Sequence, residues 1–312
     1  MKKTTIAATI LTLLTAVVLS STNLTSAQSQ LTTDPNTVGL WHLDEIQADG
    51  YREMTPDATG YNHGTLGGSP LPKLVEGKFN KALSFDQASF VYMPISFLVG
   101  FPPSPEPIYI PISPSLDISE QLKIEAWINL QAFTNASYNN ILVKCTRSDP
   151  EWQSTTRVFG LAVKPALEQN GIQIQQGSLS GFVNTDSEGF NEIVTAEPVI
   201  SANQWTHIAF TRTSTGMHLY VNGAEKTVRA LYGRQNPTGN IINGTEIYIG
   251  HDAEVIIDEV RLSNLAPEKP AVTAQVEIGT NLMIAIAVVA IVFAIAWVLR
   301  RLIQMWTIHS KS

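Results

Sequence analysis

The chain has 312 residues, a formal net charge of −7, 44% hydrophobic residues and a single cysteine. That length accommodates one large β domain or two small ones, and the acidic balance argues against a nucleic-acid partner. With Cys145 alone there is no intrachain disulfide, and an isolated thiol reads as a small buried hydrophobe.

From the N-terminus, "MKK" precedes an apolar run that exits through small residues, the pattern of a secretory signal, with cleavage expected after Ala27. An uncleaved N-terminal anchor is the alternative. After a spacer at 28–37 come strand candidates at 38–43, 81–86 and 90–94. Residues 95–114 break the rhythm, because six prolines from Pro102 to Pro114 remove backbone donors and fix φ. This excursion reads as loop or edge, and its Phe97, Phe101 and Tyr109 need burial or a partner.

The next candidate, 122–130, is the most informative. Leu122, Ile124, Ala126, Ile128 and Leu130 share one face, and Glu125, Trp127 and Asn129 share the other. Further candidates follow at 140–145, 157–164 and 179–184. Residues 204–228 read as a meander of three strands. Trp205, His207, Ala209 and Thr211 oppose Thr206, Ile208, Phe210 and Arg212, and "TSTG" fits a four-residue hairpin loop. Asn222-Gly223 then predicts a type I′ turn, which needs positive φ at both central positions. The last candidates are 245–251 and 255–263, and no convincing amphipathic helix separates any of them. Short strands divided by turn signals predict a sandwich of two antiparallel sheets.

A linker at 265–277 leads to Leu282–Leu299, 18 residues without a charge. Residues 278–281 extend this span to about 22, enough for a hydrocarbon core of about 30 Å. Arg300 and Arg301 follow, and the positive-inside bias puts the tail at 300–312 in the cytoplasm and residues 28–277 outside. Asn135 and Asn243 begin glycosylation sequons.

Six phrases together resemble the laminin G-like, concanavalin A-like jelly-roll superfamily. They are "GLWHLDE" (39–45), "DATGYNHGTL" (57–66), "GKFNKALSFDQASFVYMP" (77–94), "PSLDISEQLKIEAWIN" (114–129), "QWTHIAFTRTSTGMHLYVNGAE" (204–225) and "IYIGHDAEVIIDEVRLSN" (247–264). They stand in the family's order across 38–264. The resemblance implies an all-β, two-sheet antiparallel jelly roll with a face and loops available for binding. It also implies a structural calcium ion, for which Asp57, Thr59, Asn62 and Asp258 match the family's positions and Asp44 and Glu45 are alternatives. The 95–114 excursion departs from the family's compact pattern.

Catalytic patterns are missing. Related sandwich glycosidases carry Glu-x-Asp-x-x-Glu on one strand, whereas "AEVIIDEV" has Ile256 between Glu254 and Asp258. The histidines lack zinc-protease spacing, "GSLSG" has leucine where a nucleophile should stand, and "EGKF" is no P-loop. Aromatic rings stack on the apolar faces of sugars, and Trp152, Tyr138 and Tyr232 in turn-rich segments suit that role, whereas Trp41, Trp127 and Trp205 are expected in the core. The sequence thus predicts a membrane-anchored, non-catalytic surface module that binds a glycan or a surface protein, with the bilayer as its other partner and no nucleotide. A structural subunit of an envelope or membrane complex is the alternative, and a divergent glycoside hydrolase a third reading.

The apolar span and its flanking arginines generate a topology test. Protease added to intact cells is expected to remove the ectodomain and leave a tag placed after Ser312 protected. Cleavage of that tag in sealed cells contradicts the orientation.

Overall fold

The alternation in Leu122–Ala132 sets the architecture: its five aliphatic positions from Leu122 to Leu130 enter the inter-sheet core, and Glu125, Trp127 and Asn129 turn outward. The computed structural model describes residues 29–48, 50, 52–93, 114–134, 138–145, 157–242 and 246–265. The expected signal, the proline-rich stretch to residue 113 and the apolar span at 278–299 lie outside the described residues. Among the described residues no helix is long and apolar enough to cross a membrane.

Two antiparallel sheets make the sandwich. The eight-stranded sheet runs Ala224–Glu225, Gly216–Val221, Trp205–Thr213, Leu122–Ala132, Glu254–Asn264, Lys81–Phe85 and Lys73–Glu76, with Thr37–Trp41 also paired to Glu254–Asn264. The ten-stranded sheet runs Val228–Tyr232, Gly189–Thr195, Ser178–Thr185, Arg157–Lys164, Asn139–Cys145, Glu246–Ile249, Ser89–Met93, Gly64–Gly68, Glu53–Thr55 and Gln47–Ala48. Between them lies one large apolar cluster that includes Trp41, Phe85, Phe159, Phe210 and Leu219. Burying such side chains is worth roughly 1.5–3 kcal/mol each.

Every strand expected from the sequence is present. The 204–228 meander forms with Asn222 at φ 51° and Gly223 at φ 79°, as a type I′ turn requires. Its first loop is tighter than expected, since Thr213 pairs directly with Gly216 and leaves two residues in the turn. The third strand of the meander is only Ala224–Glu225. Strands at Gly64–Gly68, Lys73–Glu76, Gly189–Thr195 and Val228–Tyr232 carry weak alternation and were not expected.

Glu254–Asn264 changes neighbours midway. Its first half pairs with Lys81–Phe85 and its second half with Thr37–Trp41. At the junction the register against Leu122–Ala132 shifts between Asp258 and Arg261, and Glu259 sits at φ 58°. A non-glycine residue in this left-handed region costs about 1–2 kcal/mol, which the surroundings must offset. The Glu259 carboxylate accepts from the Leu31 amide at 2.8 Å and bonds His42 Nδ1 at 2.8 Å. That bond raises the His42 pKa above its usual value, against burial, which lowers it. Asp258 accepts from the Phe79 amide at 2.9 Å. One bulge therefore ties the N-terminal segment and the 77–81 turn to the same strand.

Trp127 corrects an expectation. It is buried, but on the outer side of the eight-stranded sheet, beneath Phe79 at 5.9 Å and His207 at 5.3 Å between centroids, with Lys78 Nζ 4.5 Å above its ring. Trp41 is in the core as expected, and Trp205 is half-buried. Beside Trp127, Glu125 is held by Arg261 at 2.5 Å, Lys123 at 2.9 Å and His207 at 3.3 Å. Burial pushes the Glu125 carboxyl up, but His207, Lys123 and Arg261 together outweigh burial and hold it at about 2.

Because this folded pKa lies below the usual value of 4.5, the Glu125 contribution is fully present above pH 4.5 and is lost as pH falls through about 2. Glu125→Gln is expected to cost on the order of 3 kcal/mol at pH 7 in denaturant unfolding and to flatten the acid limb between those values. An unchanged acid limb in the variant contradicts the assignment.

Candidate functional site

The strands Asn139–Cys145, Arg157–Lys164 and Ser178–Thr185 are buried at every position, so the ten-stranded sheet is covered on its outer face as well as its inner one. That outer face carries a second cluster: Tyr138, Val143, Cys145, Ala162, Phe182 and Tyr248, with Phe90, Tyr92 and Phe190 half-buried against it. The middle of the face is made of small residues. Gly160 pairs with Phe182, and a Cβ at Gly160 would lie 2.5 Å from that ring, so only glycine lets the ring lie flat there. On one side Phe90 stands edge-on to Tyr248 at 5.4 Å, and Tyr92 stacks on Tyr248 at 6.4 Å. On the other, Phe182 meets Phe190 at 5.4 Å, and Phe190 meets Tyr232 at 5.8 Å.

A charged group is built into this apolar face. Glu192, fully buried, accepts from Tyr138 Oη at 2.7 Å and Ser180 Oγ at 2.5 Å, and lies 3.5 Å from Lys164 Nζ. Lys164 donates to Gln169 Oε1 at 2.8 Å and sits 3.4 Å from the Tyr138 ring centroid. The Arg157 guanidinium lies 3.8 Å from the same centroid. Burial drives the Lys164 pKa down to about 8; Glu192 opposes this and Arg157 reinforces it. Burial also raises the Tyr138 pKa, and the neighbouring Glu192 charge adds to the effect. Each of these groups would be costly to bury alone, and their mutual hydrogen bonds offset part of that cost.

Of the aromatics expected to bind sugar, this face gathers two, Tyr138 and Tyr232, from segments 94 residues apart. Tyr138 is not the exposed platform expected: it is 5% exposed, with its hydroxyl committed to Glu192. Tyr232 is half-buried at the sheet margin. Trp152, Phe97, Phe101 and Tyr109 lie outside the described residues. Arg157, Lys164, Ser180 and Glu192 were not expected. Their signal was a charged or polar residue set within an otherwise apolar strand, as in "RVFGLAVK" and "NEIV".

The expected calcium ligands divide into two places. The Asp57 carboxylate accepts from the amides of Leu40 at 2.8 Å, Thr59 at 3.0 Å, Tyr61 at 3.3 Å and Asn62 at 2.9 Å, and from the Thr59 hydroxyl. Five donors leave its lone pairs no room for an ion, so Asp57 and Thr59 form an Asx-type turn. The Asn62 amide donates to Val38 O at 2.7 Å and Ser115 Oγ at 3.1 Å, and is likewise committed. Asp258 differs: it is fully buried, yet its Oδ1 has no hydrogen-bond partner. Burial, with the Glu259 and Asp44 charges adding to it, pushes the Asp258 carboxyl up to about 7, against the Phe79 amide bond. Asp44 also lines a cavity of about 360 Å³ with His42, Glu45, Pro56 and Ala58, and Asp258 is not part of that lining. No group of three or more acidic, histidine or cysteine side chains suited to a metal occurs among the described residues.

A family model described as the concanavalin A-like lectin/glucanases superfamily matches residues 107–273. Comparison with curated protein sequences gives no significant match. Among solved structures, the chain is similar to domain 4 of an extracellular arabinanase from Geobacillus stearothermophilus in complex with arabinotriose. Identity is 17% and the TM-score 0.45, with 73% of this chain and 92% of that one covered. It is similar to the receptor binding domain of botulinum neurotoxin mosaic serotype C/D at 13% identity and TM-score 0.45, covering 74% of this chain and 48% of that one. A Trypanosoma rangeli sialidase in complex with sialic acid aligns at 10% identity and TM-score 0.46, covering 77% of this chain and 34% of the sialidase.

Proposed function

Since the chain belongs to the concanavalin A-like lectin/glucanase superfamily, we propose that it is a non-catalytic recognition module that binds a glycan on the outer face of its ten-stranded sheet. The observation that carries this reading is the pair of half-buried aromatic groups, Phe90 with Tyr92 and Phe190 with Tyr232, on either side of a centre of small residues. Rings so placed offer flat apolar surfaces to sugar C–H faces. Absence of turnover is part of the proposal, and is supported by the commitment of Glu192 to three neighbouring groups. Hydrolysis would require two carboxyls poised across one bond, one free to give a proton. The apolar Leu282–Leu299 span supports placement at the cell surface, with the module held near the bilayer.

The reading includes a structural calcium ion beside Asp258 rather than Asp57. Asp258 Oδ1 is the orphaned buried oxygen, and Asp44 is the nearby second carboxylate. It accepts from the Lys81 amide at 3.0 Å and Asn80 Nδ2 at 3.3 Å. Hard oxygen donors of this kind suit calcium. The ion would join the 77–81 turn to the bulged strand.

Two experiments test these statements. Full-length protein in mild detergent, applied to a glycan panel, is expected to retain at least one class of oligosaccharide without releasing reducing ends. Tyr92→Ala with Tyr232→Ala should weaken that retention about tenfold in protein that still unfolds cooperatively, although loss of ring packing lowers its Tm. Reducing-end release by the wild-type protein refutes the non-catalytic reading, and undiminished retention by the double variant refutes the surface. For the ion, calcium at a hundredfold excess over Kd should stabilise the wild-type protein by about 2.7 kcal/mol. Asp258→Asn should abolish that response while Asp57→Asn leaves it in place. Equal melting with calcium and with chelator contradicts the site.

A further inference from the structure

We propose that Lys164 and Gln169 become joined by a covalent amide bond, which the folded chain forms for itself with loss of one ammonia and with Glu192 as the proton carrier. The proposal goes beyond the glycan reading and does not rest on it.

The argument begins with a buried nucleophile. The Lys164 side chain is fully buried on the outer face of the ten-stranded sheet. Its amine meets Gln169 Oε1 at 2.8 Å, Glu192 Oε1 at 3.5 Å and the Tyr138 ring, whose centroid is 3.4 Å away. Burial is the main cause of its pKa of about 8, well below the 10.5 of an ordinary lysine. Part of the population therefore carries a free electron pair near neutral pH, and that form attacks a carbonyl carbon. A buried ammonium is also costly, and its conversion to an amide removes that cost.

The electrophile is held against it. Leu167–Gln169 and Ile172–Ile174 form a separate two-stranded hairpin that follows the strand ending at Lys164. Leu167, Ile172 and Ile174 pack on Val194 and Leu231, and Asn170 Nδ2 in the turn donates to Leu231 O at 2.8 Å. The hairpin is thereby fixed over the face, and Gln169 with it. The amide carbon of Gln169 lies one carbonyl bond, about 1.2 Å, beyond the oxygen that accepts from Lys164. Rotation about the last, broad torsion of Gln169 turns that carbon toward Nζ without moving the hairpin. Holding the two groups together makes an otherwise slow amide exchange intramolecular.

Glu192 completes the set. It is fully buried, with Oε1 toward Nζ and Oε2 accepting from the Tyr138 hydroxyl at 2.7 Å. The carboxylate takes one proton from the Lys164 ammonium, and the freed pair forms the Nζ–Cδ bond as Cδ–Nε2 of Gln169 breaks. A second Nζ proton and the one held by Glu192 leave with Nε2 as ammonium. Glu192 ends as the carboxylate it began as, and no oxidant or reductant enters. Gln169 is half-buried, which gives the ammonium a path to water. The event happens once per chain and is not turnover. Lys144, another buried lysine, lacks this set: its amine is held by Asp117 at 2.6 Å and Leu116 O at 2.8 Å.

The test is mass spectrometry of a tryptic digest of full-length protein purified in mild detergent. Lys164 precedes Pro165, so both partners stay in the peptide that follows Arg157. That peptide is expected to be one ammonia lighter than its sequence. It should give no fragments from backbone breaks between 164 and 169, because the ring holds both pieces. Lys164→Arg and Gln169→Ala should each restore the full mass, and Glu192→Gln should leave most of the peptide unlinked. Where a variant of buried Lys164 or Glu192 fails to fold, the wild-type peptide and Gln169→Ala decide. Full sequence mass in wild-type protein that unfolds cooperatively overturns the proposal. A lighter peptide that still fragments between 164 and 169, or a loss that persists in Gln169→Ala, also overturns it.

Discussion

The bulge at Asp258–Glu259 is the constraint on which the sandwich depends. Glu254–Asn264 is long enough to pair with two different strands in succession, and the inserted residue is where one partner gives way to the other. Placing Glu259 at φ 58° costs free energy that the His42 and Leu31 bonds offset. The same distortion turns Asp258 toward the 77–81 turn and buries its second oxygen unpaired. Chain closure and the proposed ion site are thus two consequences of one extra residue in one strand.

The two sheets treat their outer faces in opposite ways. On the eight-stranded sheet, Glu125 is surrounded by Arg261, Lys123 and His207, and Trp127 is roofed by Phe79 and Lys78. That surface satisfies itself. On the ten-stranded sheet, Arg157 and Lys164 share the outer face with Glu192 and Glu246, and half-buried rings border small residues. The half-buried rings that border the second face are what direct the functional reading to it.

Much of the architecture was legible because one periodicity dominated. In 122–130 the alternation is unbroken, and the core face is the one expected. Asn222-Gly223 specified its own turn through the φ values it tolerates. Gly64–Gly68 was missed because three glycines among five residues read as a turn, although pairing with Ser89–Met93 makes it a strand. Trp127 was placed on the correct side of its strand, but its burial comes from Phe79 and Lys78, 48 or more positions away, which no local pattern reports. The site was less legible for the same reason. Tyr138, Arg157, Lys164, Ser180 and Glu192 come from four separate segments, and only sheet pairing makes them neighbours. Asp57 looked like a metal ligand because Asx turns and calcium loops use the same residues, and only the number of donors around the carboxylate separates the two.

Hydroxyl-radical footprinting of the full-length protein, with and without a retained glycan, tests the central claim most directly. The account predicts that ligand protects Tyr92, Phe190 and Tyr232, the half-buried rings on the outer face of the ten-stranded sheet, and leaves Trp205 and His218 on the other sheet unchanged. Protection confined to Trp205 and His218, with the three rings oxidised as fast as in the free protein, would contradict it.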